Sequence, residues 1–275
     1  MTVLRDAVLR HIAEVDGRMT IRHLFYRLAT EKIIDKSEVA YGNLCRHLSV
    51  WRKAGSVPFS AFVDSTRWYY GSTGHDSLED ALVDCANTYR KNYWRNSGLR
   101  IEVWCEKDTI ASLLTEAAAP YGVQVFVCRG FASLSSLYDA AEQFKRLARA
   151  GYETHILYFG DRDPSGVLVD QNIGRAMRET FGVEVNLRRV AVTEAQISGY
   201  NLPTRPTKAK SSHMKSFVGE SVEIDAMHPA DIKNLVQEAL EDFMDPAALQ
   251  SMKVAEESER QHLYSIAGIG GVNHD

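Results

Sequence analysis

Apolar residues recur every three or four positions through the first hundred residues, and that spacing predicts helices. Leu4, Val8, Ile12 and Val15 make one such stripe, stopped by Gly17. Thr20 stands where a second helix, TIRHLFYRLATEKII, needs a cap, and Ile21, Leu24, Phe25 and Leu28 share one face of it. A third helix is expected from about Ser37 to Lys53, with Gly55 after it. GSVPFSAFVDSTR then reads as a short extended wing or hairpin, and three short helices with a wing make a winged helix-turn-helix. Leu78, Leu82, Cys85, Tyr89 and Tyr93 predict one more helix from Ser77 to about Ser97. Asn96, Ser97 and Gly98 break it, which divides the chain into residues 1–98 and 99–275.

Beyond that boundary extended apolar runs alternate with helical stretches. LRIEVWC, VQVFVC, THILYFG and VEVNLRRVAV read as strands. EKDTIASLLTEAAAPYG, SLSSLYDAAEQFKRLARAG and a segment from about Val167 to Phe181 read as the helices between them. A βαβαβ series of this kind predicts an α/β fold, a mainly parallel sheet with helices on both faces.

Composition changes this picture little. Forty-five per cent of the 275 residues are apolar and 25% charged, an ordinary globular balance. No apolar run is long enough to span a bilayer, and the charges threaded through the N-terminal stretch are unlike a secretory signal. Cys45, Cys85, Cys105 and Cys128 stand far apart, which argues against a zinc site or a disulfide framework, so a reducing cytoplasm is the expected setting. The net charge of −4 hides an asymmetry: residues 1–99 carry +3 and residues 100–275 carry −7. A basic front and an acidic back suit a DNA-contacting part joined to a carboxylate-rich, metal-holding part.

The candidate chemistry follows the same division. Arg46, His47, Arg52 and Lys53 on the third helix, and Arg67 after the wing, can meet phosphates or base edges; a solvated helix face accounts for each of them singly. Tyr26 lies roughly 140° around its helix from Ile21, off the apolar face, with Arg22 one turn before it. An outward Tyr beside an Arg can attack a phosphate, or can pack on a neighbouring helix. In the back part, parallel sheets collect their chemistry at the carboxyl ends of strands. Glu106 ends the first strand and Asp161 and Asp163 end the third, a hard-oxygen set that suits Mg²⁺. Lys107 is placed to hold a phosphate, and Pro164 and Gly166 set the turn. Asp-x-Asp taken alone reads sooner as a structural Asx-turn.

WCEKDTIASL resembles the first motif of a Toprim domain, and LYFGDRDPSG resembles the second, in the form found in topoisomerase VI A subunits and the related meiotic double-strand-break proteins. TIRHLFYRLA is similar to their catalytic-tyrosine helix, with Phe25-Tyr26 where a Tyr-Tyr pair is frequent. VEIDAMHP (222–229) is similar to a late Glu-x-x-Ala segment of theirs. The resemblance implies a winged helix followed by a Toprim domain and Mg²⁺-dependent cleavage of double-stranded DNA. It makes Tyr26 the nucleophile, Glu106, Asp161 and Asp163 the metal ligands, and Arg22 and Lys107 helpers. Glu223 and Asp225 would buttress the metal site or serve structure. It further implies a homodimer in which one subunit's tyrosine works with the other's metal. The sequence has no Walker A motif, so a separate ATPase subunit would drive any strand passage. A hydrolytic Toprim nuclease and a non-catalytic DNA-binding protein of a mobile element are the alternatives.

Overall fold

The computed structural model describes residues 2–15, 18–62, 74–128, 134–163, 166–204 and 221–268. Helices α1 (Thr2–Glu14), α2 (Ile21–Thr30) and α3 (Glu38–Lys53) enclose a small core of Val8, Met19, Leu24, Leu28, Leu44 and Leu48. Local chemistry sets their ends. Thr20 Oγ1 accepts from the His23 amide at 3.2 Å and caps α2. Ser37 does the same for α3 through Ala40 N, and Gly55 takes a φ of +73° just beyond it.

The described half of the expected wing, residues 55–62, holds no strand. Phe59–Ala61 is a single 3₁₀ turn that starts at Pro58, a residue with no N–H to give a ladder. The Arg52 guanidinium lies 4.5 Å from the Phe59 ring and 5.5 Å from that of Phe62, and this folds the segment back on α3. Phe62 then bridges to Met19. Residues 63–67, with Arg67, lie outside the described residues.

The helix expected over 77–97 also stops early. Helix α4 covers Leu78–Thr88, and Tyr89 leaves helical geometry with ψ 129°. The stripe that suggested a longer helix is not its buried face: Leu78 is 73% exposed and Cys85 is exposed, whereas Ala86 is buried. Tyr93 and Trp94 belong to the core under the sheet. Trp94 Nε1 donates to the Tyr121 carbonyl at 2.8 Å, and Tyr93 Oη to Glu256 at 2.8 Å. Tyr93 and Trp94 are therefore tied to the sheet part of the chain.

The sheet itself is as the pattern predicted. Strands β1 (Leu99–Cys105), β2 (Gln124–Val127), β3 (Glu153–Phe159) and β4 (Asn186–Ala191) are all parallel, in the order β2-β1-β3-β4. Helices α5 (Asp108–Ala118) and α9 (Pro229–Glu241) bury Ile110, Leu113 and Val236 against Val103 and Leu157 on one face. Helices α6 (Leu134–Arg149) and α7 (Gly166–Arg175) bury Phe144 and Ile173 against Trp104 and Tyr158 on the other. That division follows the strand period of two. Helix α8 (Glu194–Gly199) follows β4, and α10 (Pro246–Ile266) lies along α4, where Tyr264 Oη meets Asn87. Among the described residues no helix is long and apolar enough to cross a membrane.

The strand order has a consequence for function. The chain leaves β1 toward β2 on one side, while β3 lies on β1's other side. A crevice opens beyond the carboxyl ends of β1 and β3 at such a switch point. Glu106 follows β1 and Asp161 follows β3.

Candidate functional site

Two glycines let the acid loops come close. A Cβ on Gly160 would lie 2.7 Å from Tyr158 Cε1 and 3.0 Å from Glu106 Oε2; one on Gly166 would lie 2.3 Å from the Asp161 carbonyl oxygen. Without them Glu106 reaches across: its Oε2 accepts from the Asp161 amide at 3.1 Å, while its own amide donates to the Phe159 carbonyl at 3.0 Å. Burial first, and then the adjacent Asp161 carboxylate, push Glu106 up to about 7, with Asp163 adding to the shift.

Asp161 is 6% exposed and fully engaged. Its Oδ1 accepts from the Ile224 amide at 3.0 Å, and its Oδ2 lies 2.8 Å from Lys107 Nζ. The same ammonium lies 3.1 Å from Asp225 Oδ2 and 3.6 Å from Glu223 Oε2. Burial would lower the Lys107 pKa, but Asp161 and Asp225 outweigh it and raise it, so the side chain is a fixed cation. Burial would raise Asp225; Lys107 outweighs that in turn and holds it low. Asp163 bonds its own loop. Its Oδ1 accepts from the Gly166 amide at 2.6 Å, three residues on at the start of α7, which is not the two-residue reach of an Asx-turn.

The tyrosine arrives from the front part. Tyr26 is not outward: it is 3% exposed. The segment Ile224–Ala226, a 3₁₀ turn, packs on α2, and the Tyr26 hydroxyl donates to Glu223 Oε2. Arg22, one turn earlier, lies 3.9 Å from the same oxygen and 5.9 Å from the Tyr26 ring. Lys36 Nζ stands 5.1 Å from that ring on another side. Burial and the Glu223 carboxylate both raise the Tyr26 pKa, so the phenol rests neutral. Tyr26, Arg22, Lys107, Asp161 and Glu106 are thus one connected site within one chain, joined through Glu223. No family model matches this chain, and no curated protein or solved structure does either. What the site does has to be argued from its own chemistry.

Among the described residues no three His, Cys, Asp or Glu side chains are grouped as a metal cage. Glu106, Asp161 and Asp163 share one end of the sheet, but Lys107 stands at Asp161 Oδ2, where a cation would otherwise sit. The sequence-predicted DNA contacts are divided. Arg46 and Lys53 are exposed and seven residues apart, so they share a face of α3. His47 is stacked on Trp51, with centroids 5.5 Å apart, and Arg52 is occupied by the two Phe rings.

Arg189, on β4, had no signal in the sequence beyond being a charge in an apolar strand. Its Nε donates to Asp170 at 2.8 Å. Its two Nη atoms donate to the carbonyls of Gly160 (3.3 Å), Asp161 (3.1 Å) and Gly166 (2.6 Å). One guanidinium therefore fixes both ends of the loop that carries Asp161 and Asp163. Arg189→Ala removes a donor from each of these carbonyls and the cation from a largely buried Asp170, leaving Gly160 O only the Val192 amide and Asp170 only the Gln171 amide among the described residues. A loss of about 3 kcal/mol is expected from breaking such a pair, read as a lower urea midpoint at unchanged slope.

Proposed function

We propose that this protein breaks double-stranded DNA in a Mg²⁺-dependent reaction with Tyr26 as the nucleophile, using a front DNA-binding part of winged-helix type and a sheet domain of Toprim type. The observation that carries the reading is the direct tie between the two parts. A tyrosine hydroxyl from the basic front meets Glu223, and Glu223 meets the Lys107–Asp161–Glu106 array at the carboxyl end of a parallel sheet. A nucleophile, two flanking cations and a set of hard-oxygen acids are the parts that phosphoryl transfer from DNA needs.

The donor set fits Mg²⁺. That ion takes one or two carboxylates and completes its shell with water and phosphate oxygens, so an all-protein cage is not required. Glu106, pushed up to about 7 by burial and by two neighbouring acids, marks a place with more negative charge than the protein neutralises. Glu106 and Asp163 would hold the ion, with Asp161 shared between it and Lys107. When bound, the ion supplies a positive charge to the phosphate in the transition state. The remaining work falls to the chain. Arg22 and Lys107, 35% and 26% exposed in their side chains, flank the Tyr26–Glu223 bond on two sides. A backbone phosphate drawn between them is oriented for attack, and Arg46 and Lys53 on α3 add sequence-independent attraction to the duplex.

The burial of Tyr26 favours a second reading, hydrolytic cleavage by a Toprim-type nuclease in which the tyrosine only ties the two parts together. Supercoiled plasmid incubated with the protein and Mg²⁺, then quenched with denaturing detergent, separates the two. The expected result is broken plasmid carrying covalently attached protein, absent when the metal is chelated. Breaks with free ends and no attached protein would establish the hydrolytic reading.

A further inference from the structure

A tyrosine that attacks a phosphate has to lose its proton, and the surroundings of Tyr26 offer few places for it. Arg22 and Lys36 beside the ring, and Lys107 beyond Glu223, are cations and accept nothing. His23, also on α2, is turned away: its Nδ1 lies 3.1 Å from Thr20 Oγ1, and the charges it faces are Asp225, His228, Lys107 and Arg27. Asp225 is held by Lys107. Glu223 is what the Tyr26 hydroxyl touches, through Oε2. Glu223 is 5% exposed, and its carboxylate faces Tyr26 and Arg22 of α2 and Lys107.

We propose that Glu223 is a catalytic residue of the Tyr26 reaction, the base that takes the phenolic proton. This rests on the tyrosine-nucleophile reading and adds its proton acceptor. The step balances. The Tyr26 Oη–P bond forms as the bond from phosphorus to one deoxyribose oxygen breaks. The phenolic proton passes to Glu223 Oε2. The departing oxygen takes a proton from solvent water, and Glu223 gives the phenolic proton back to solvent, while Lys107, 3.6 Å from Glu223 Oε2, stays a cation. No net proton is consumed, and religation runs the same path backward. Lys107 and Arg22 stand 3.6 and 3.9 Å from the same carboxylate oxygen that accepts from Tyr26.

The test is the rate of protein–DNA adduct formation with Mg²⁺ and plasmid, for the unsubstituted chain, Glu223→Gln and Glu223→Asp. Glutamine keeps an oxygen that accepts the Tyr26 hydrogen bond but takes up no proton. The expected result for Glu223→Gln is a maximal adduct rate lowered at least about 100-fold, with the DNA concentration at half-saturation within about twofold. Glu223→Asp, a carboxylate drawn back by one methylene, is expected to recover part of that rate. Should the Gln variant fail to fold in a thermal melt, the Asp variant carries the test through a fall of about tenfold in rate at unchanged half-saturation. An adduct rate for a folded Gln variant equal to that of the unsubstituted chain overturns the proposal and leaves Glu223 a structural tie. If the unsubstituted chain cuts DNA without any adduct, the tyrosine reading itself falls, and this inference with it.

Discussion

Replacement of Tyr26 by phenylalanine is expected to abolish covalent attachment to DNA altogether and to lower strand breakage by at least about a thousandfold, the usual scale for loss of a nucleophile. Phenylalanine fills the same space between Phe25 and the covering segment 221–227, so the packing of α2 is kept. What it removes is one oxygen. Glu223 loses a donor but keeps Arg22 and Lys107 within 4 Å. The stability cost is therefore that of one hydrogen bond at a carboxylate still paired to cations, about 1–2 kcal/mol. Chemistry and stability thus separate: a large rate loss beside a small shift in the urea midpoint marks a reacting hydroxyl. Undiminished breakage beside that same small shift would assign the hydroxyl to structure alone and support metal-dependent hydrolysis.

Much of the fold is legible in the sequence, because the signals are local. Thr20 and Ser37 cap their helices, Gly55 takes the left-handed turn, and each strand of the sheet is a compact apolar run between turn residues. The acids at the strand ends are legible for the same reason, since their place follows from the order of elements. Local signals mislead where distant residues decide. Tyr89 and Tyr93 continue a helical stripe, yet their hydroxyls are taken by Glu259 and Glu256 of α10, and the helix ends at Thr88. In the described half of the expected wing, Pro58 and Arg52 set a 3₁₀ turn at Phe59–Ala61. Tyr26 reads as outward on its own helix. The surface that buries it comes from 197 residues further along the chain, and no periodicity in α2 carries that information. Arg189 is invisible for a related reason: its partners on the acid loop are backbone carbonyls, which every residue has.

The packing of Tyr26 against its own chain bears on how two copies would share the work. In the arrangement implied by the family resemblance, the tyrosine of one subunit reaches the metal site of the other. Here hydroxyl, Glu223, Lys107 and Asp161 form a continuous contact path inside one chain. A site complete in one chain makes a sharp prediction for mixed variants. Tyr26→Phe lacks the nucleophile and Asp161→Asn lacks an acid, so each alone is expected to be inactive. In a shared arrangement, a mixed pair contains one fully intact site, built from the tyrosine of the Asn variant and the acids of the Phe variant. Mixing would then restore nicking and covalent attachment to a substantial fraction of the unsubstituted level. In a one-chain arrangement every site in the mixture carries a defect, and activity stays at the background of the separate variants. The one-chain result is expected, because a tyrosine used across a subunit boundary would first have to leave a buried bond to Glu223 and the pair of cations beside it. The measurement is the yield of protein-linked nicks from variants denatured together and refolded at equal amounts, so that subunits exchange. Recovery of linked nicks in the mixture would show the Tyr26–Glu223 contact to be a resting arrangement that opens before the reaction.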